Sequence, residues 1–266
     1  MNSLLGDTFL IFSAQLWRTL RSKRTLVCLA LAVLPVAMAL VIQAIPGDVG
    51  PRRIIMTAGQ RVAWNMIIQG LVPILSLIAG VAVISEELED RTITYLLTRP
   101  VPRAAIFLGR WLAAFVWLGL LLSVSITAVI LILGVPTESG VEALSPLGFA
   151  GLLIGVALLG SAIYSAAFAA LGARIKHPMI VGLGYTFAIE IFLTNLPGKA
   201  RAATVQYYLR SIANEWGRTY LEILPNFRRA EFDEGSVALV KLGIALALAL
   251  GLGVWILSRR QYVLSS

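Results

Sequence analysis

Cysteine and histidine are nearly absent: the 266 residues hold one of each, Cys28 and His177. A lone cysteine excludes an intrachain disulfide. One cysteine and one histidine cannot build a thiolate–imidazole zinc site. Charge is also scarce. Asp, Glu, Lys and Arg make up 14% of the chain, against about a quarter in soluble domains. Acidic residues are the rarer sign, 14 against 22 basic, which gives a net charge of +8. In a soluble protein that excess would point to nucleic acid. Here the basic residues sit at the ends of apolar runs, so they read as topology signals and contacts to anionic lipid, with no nucleic-acid partner. A Gly-x-x-x-x-Gly-Lys-Ser/Thr phosphate loop is missing too, so this chain carries no nucleotide site of that type.

What the chain has is hydrophobic length. Residues of apolar type make up 58% of it, in runs near the ~20 residues that cross a bilayer core as a helix. The expected fold is an all-α membrane protein, one domain over 1–266, with six spans. These fall at about 25–45, 63–84, 104–133, 147–171, 179–196 and 237–257. Pro35 is a candidate kink in the first. The fourth is rich in small residues such as Gly151, Gly155 and Gly160, which let helices approach closely. Before the first span, Leu5, Phe9, Phe12, Leu16 and Leu20 trace one helix face over residues 1–24. This predicts an amphipathic N-terminal helix rather than a cleaved signal peptide, lying in the membrane interface or, alternatively, extending into the cytoplasm against a partner. A helix is also expected within the long loop 197–236, from Val205, Tyr208, Leu209, Ile212, Trp216, Tyr220 and Ile223, with Tyr207, Tyr208 and Trp216 as interfacial anchors.

Six spans put both termini on one side, and basic residues choose the side. Four precede the first span (Arg18, Arg21, Lys23, Arg24). Four lie in the second-to-third connection (Arg91, Arg99, Arg103, Arg110) and two in the fourth-to-fifth (Arg174, Lys176). The opposite face has Arg52, Arg53 and Arg61 in its first loop and no basic residue in its second. The positive-inside rule therefore predicts cytoplasmic termini.

The densest stretch, Ser85 to Arg110, follows the second span on that cytoplasmic side. Glu86, Glu87, Glu89 and Asp90 stand where a helix N-terminus favours negative charge. Leu88, Thr92, Tyr95 and Leu96 share one helix face. Pro100 ends the helix and Pro102 restarts one. The pattern leaves two readings open: a short amphipathic helix that docks on a cytoplasmic partner, or a solvated turn with flanking topology charges.

The stretch also resembles the signature of ABC-2-type transporter permeases. The matching residues are Glu86, Glu87, Thr92, Leu96, Leu97, Pro100, Val101, Arg103, Gly109 and Arg110. Arg91 stands where the family usually has Gly, and Thr98-Arg99 precede Pro100 where it often has Ser. The resemblance implies the membrane subunit of an ABC exporter, multi-pass in an inner (plasma) membrane. Such permeases pair with a second copy or a second permease and bind separate ATPase subunits, which hold the ATP and Mg. It further implies a coupling helix between spans two and three, formed by Glu86, Glu87, Leu88, Arg91, Thr92, Tyr95, Leu96, Leu97, Pro100 and Arg103. Two other readings compete. Glu86-Glu87-x-x-x-Arg91 also matches the first motif of CAAX-type intramembrane proteases, but such a site needs further histidines than His177. A non-transporting membrane scaffold needs no motif at all.

Ionisable groups inside spans mark functional sites by default. Glu190 is the clear case, with Asn195 just beyond it, Asn65 and Gln69 in the second span and Lys241 in the sixth. Two readings stay open: an intramembrane polar cavity or network in the outer half of the protein, with Lys241 a candidate partner of Glu190, or a Glu190 that snorkels to the outer surface.

Overall fold

A computed structural model describes residues 2–44, 59–89, 102–134, 146–194, 199–221 and 232–259. Among them there is no strand; nearly every residue is helical. Helices α1 (Asn2–Leu20) and α2 (Lys23–Ala44) come first, and Pro35 lies inside α2 without interrupting it. Helix α3 is a π-helical stretch, Val62–Leu71, that runs directly into α-helix Val72–Glu89. Then follow α4 (Arg103–Leu133) and α5 (Pro146–Arg174). Helix α6 starts as Pro178–Tyr185 and continues as a second π-helical stretch, Thr186–Leu193. A 3-10 turn at Lys199–Ala203 leads into α7 (Val205–Leu221), and α8 (Gly235–Arg259) completes the set.

Among the described residues, five helices are long and apolar enough to cross a membrane: Lys23–Ala44, Gly59–Ile84, Arg103–Leu133, Leu147–Arg174 and Gly235–Arg259. In the segment expected as the fifth of six spans, the described apolar helix is Pro178–Glu190, shorter than the other five.

Helices α3 and α5 form the centre. They pack against each other closely enough that glycine is needed on both sides. A methyl group on Gly80 would lie 2.7 Å from the Ser165 carbonyl oxygen, and one on Gly172 would lie 3.0 Å from that of Val81. Between lipid-solvated helices this close fit supplies the attraction that the hydrophobic effect cannot. Trp64, Ile67, Leu75, Leu118, Leu122, Phe149 and Tyr164 fill the core around this contact. Helices α2 and α8 lie at the periphery, where Leu26, Val33, Val41, Val240, Ile244 and Leu248 are exposed. A belt of that size would be an aggregation hazard in water and is the expected surface against acyl chains.

Helix α1 packs along α4. A methyl on Gly109 of α4 would come within 2.7 Å of the Thr8 carbonyl oxygen and 3.0 Å of Ile11. The packed side of α1 is therefore the side of Thr8 and Ile11. Phe9, Leu10 and Trp17 remain exposed.

Candidate functional site

Arg24, Arg103, Arg110, Arg174, Lys176 and Arg259 lie toward one end of the bundle, called here the basic end. Two buried or partly buried ties fix its order. Arg110, 5% exposed, donates to the Val83 carbonyl at 3.0 Å, joining α4 to α3. Arg103 donates to the carbonyls of Leu257 (3.1 Å) and Ser258 (2.9 Å), joining the start of α4 to the end of α8. Carbonyls of a last helical turn have no partner within the helix, and a cation there also complements the helix dipole.

The other end holds a buried polar cluster built around Glu190, which is fully buried on the π-helical part of α6. Four donors meet its two carboxyl oxygens. Tyr164 of α5 donates to Oε2 at 2.7 Å and Tyr185 to Oε1 at 2.6 Å. The backbone N–H groups of Val205 and Gln206 donate to Oε1 and Oε2, both at 3.2 Å. Val205 is the first residue of α7, so Glu190 supplies from a different helix the acceptor that the first N–H groups of α7 lack. It also brings negative charge to the positive end of the α7 dipole. Thr204 completes the cap by accepting from the Tyr207 N–H at 3.2 Å. A buried carboxylate is tolerated only when its oxygens are met in this way.

One turn into α7, Gln206 and Arg210 face the π-helical part of α3. Gln206 Nε2 donates to the Ile68 carbonyl at 2.9 Å, and Arg210 donates to Gln69 Oε1 at 3.1 Å. The first bond has a cause in the sequence. The Val72 N–H bonds the Ile67 carbonyl, five residues back. In the same register the next donor, for Ile68, would be residue 73. That residue is Pro73, which has no N–H, and the Gln206 amide takes its place. Arg210 is 5% exposed and also reaches the Thr194 carbonyl at 3.4 Å. Burial, with Arg201 nearby, lowers its guanidinium to about 10, while Tyr164 and Glu190 act in the opposite direction. It therefore stays cationic at neutral pH.

Of the residues expected here, Glu190 and Gln69 join the cluster. Three do not. Asn65 is exposed on α3. Asn195 lies outside the described residues. Lys241 is not the partner of Glu190: its ammonium bonds Asp233 at 2.6 Å and lies over the Tyr208 ring. The reason is α7, which contacts both α5 and α8. Its Gln206 flank meets Glu190, while Tyr207 and Tyr208 turn toward Asp233 and Lys241. Tyr207 is accordingly buried rather than interfacial; Trp216 is half exposed. Sequence reasoning missed Arg210, Gln206, Tyr164 and Tyr185. One signal was available: Gln206 and Arg210 stand one helical turn apart beside the apolar face already traced.

Of the residues assigned to a coupling element, Glu86, Glu87 and Leu88 fall in the last turn of α3. Arg103 opens α4 and is tied to α8 as described. Arg91, Thr92, Tyr95, Leu96, Leu97 and Pro100 lie outside the described residues. His177 precedes α6 and is exposed.

The profile of a family described as ABC-2 family transporter protein matches residues 11–261. The chain belongs to this ABC-2 transporter family. It is a multi-pass membrane protein and a membrane transport subunit rather than an enzyme. No curated protein matches it.

Proposed function

We propose that this ABC-2 chain is the membrane subunit of an ATP-driven exporter, working as a pair with a second copy or a second permease. ATP and Mg are held by a separate ABC ATPase, which docks on residues 85–103 at the cytoplasmic face of the inner membrane. Six passes and cytoplasmic termini require α6 to cross, and its neighbours support that. Near its start, a methyl on Gly182 would run into Leu77 of α3. At its far end, Glu190 shares a cluster with Gln206, which bonds Ile68 of α3. Pro178, at the very start, shares a cleft with Val81. From Val81 to Ile68 is ~20 Å at 1.5 Å per residue, about two-thirds of a ~30 Å hydrocarbon core.

The observation that carries the mechanical reading is the continuity of α3. One helical rod holds Glu86 and Glu87 at the basic end and supplies Ile68 and Gln69 to the Glu190 cluster at the other. Work delivered to residues 85–103 reaches the outer end through that rod and through its glycine-mediated contact with α5. The test is coexpression with the ABC ATPase. Reversing the charges of Glu86 and Glu87, or Leu96→Asp, should detach the ATPase or uncouple its activity from export. Copurification with full stimulated ATPase activity would overturn the assignment.

A further inference from the structure

A cleft of about 390 Å³ opens at the basic end between α2, α3 and the start of α6. Its mouth is set by Arg24 from the first turn of α2 and by Lys176 and His177 from the turn before α6. Its wall is apolar: Val27, Met179 and Ile180, with Val81 below. Val27, Met179 and Ile180 are exposed, Ile180 to 70%. No carboxylate is among the described lining residues. The N-terminus of α6 opens on the same mouth, with Pro178 in its first turn. Its dipole adds positive potential there.

Two chemistries therefore meet in one cleft, and they select one kind of ligand. A small hydrophilic anion would answer the charges but leave the apolar wall uncovered. A hydrocarbon would cover the wall but offer no acceptor to Arg24, Lys176 or the His177 ring. An anionic amphiphile answers both. Basic pockets between transmembrane helices recognise lipid headgroups in this way. We propose that the cleft is a binding site for an anionic phospholipid. Its phosphate lies between Arg24, Lys176 and His177, and an acyl chain runs along Val27, Met179 and Ile180. The site does not depend on the ATPase-coupling assignment, and the test below separates the two.

The test uses the full-length permease, delipidated in detergent and read by native mass spectrometry. It is titrated with phosphatidylglycerol and with phosphatidylcholine of the same chains. Phosphatidylglycerol should bind with clear preference. The double variant Arg24→Gln/Lys176→Gln should lower its affinity roughly 25-fold, from about 1 kcal/mol per basic residue and a tenfold change per 1.4 kcal/mol. Phosphatidylcholine binding should not change. Equal binding of the two lipids by the wild type would overturn the proposal. So would displacement of phosphatidylglycerol by soluble glycerophosphate as effective as displacement by the lipid itself, because that marks a free-anion site. A double variant that keeps its lipid preference but loses the ATPase would make the patch a protein contact and would also overturn it. If the variant does not fold, the lipid comparison and the glycerophosphate competition on the wild type decide alone.

Discussion

Replacing Glu190 by glutamine tests the buried cluster with a change of one atom. The shape is kept, but one carboxyl oxygen becomes an NH₂ donor. If that replaces Oε2, it faces the Tyr164 hydroxyl and the Gln206 N–H; if Oε1, the Tyr185 hydroxyl and the Val205 N–H. A hydroxyl can turn round and accept, but a backbone N–H cannot. One buried donor at the start of α7 is thus left unmet in either orientation, which costs about 1–3 kcal/mol. The lost charge at a buried helix N-terminus removes roughly another 1 kcal/mol. The sum, about 2–4 kcal/mol, corresponds to a fall in Tm on the order of 10 °C, at about 2–4 °C per kcal/mol for chains near this length. The assay is thermal unfolding of the purified permease in detergent, followed by tryptophan fluorescence. Tyr164→Phe alone should lose about 1 kcal/mol. Combined with Glu190→Gln it should lose less than the sum of the two, because both act on one network. Export by Glu190→Gln should fall while the ATPase still assembles. A variant that melts within about 2 °C of the wild type, less than 1 kcal/mol on that scale, and exports normally would refute the reasoning.

Other perturbations test the remaining contacts. Gly80→Leu forces a side chain into the Ser165 backbone, which cannot yield. It should destabilise by at least the ~1–3 kcal/mol typical of overpacking, and an unchanged melting temperature would show that α3 and α5 are not held this closely. Arg103→Ala frees the Leu257 and Ser258 carbonyls. Faster hydrogen exchange should follow in the last turns of α8, with no change at the Glu190 end. The Asp233 carboxyl is held below its ordinary value of 3.8, chiefly by the hydrogen bond from Lys241. A depressed carboxyl contributes stability above its unfolded value and loses it as pH falls through the folded one. Wild type and Asp233→Asn should therefore differ slightly in Tm at pH 6 and converge below about pH 4. A difference that persists unchanged at pH 3 would contradict the pairing.

The membrane class was legible because it rests on one-dimensional facts. Long apolar runs and charges confined to their ends mean the same thing whatever the tertiary arrangement, since hydrocarbon tolerates neither unpaired backbone nor scattered charge. The resemblance around Glu86 to Arg110 was legible for a similar reason: its residues are neighbours in the chain. The π-helical part of α6 was harder to read. A hydropathy run records which residues are apolar, but not that part of the run is wound as a π-helix.

Partners were the part that sequence could not assign. Glu190 stood out because a carboxylate inside an apolar run has a cost that composition alone reveals. Its donors did not, because they come from α5, α6 and α7, and two of them are backbone N–H groups that every residue possesses. Lys241 was the obvious countercharge by depth, yet α7 stands between them and turns Tyr207 and Tyr208, not Gln206, toward it. Sequence by itself determined that a charge is buried and that helices surround it. Only tertiary structure decided which groups neutralise it, because that depends on which flank of α7 faces which neighbour, and the flank is set by packing rather than by order along the chain.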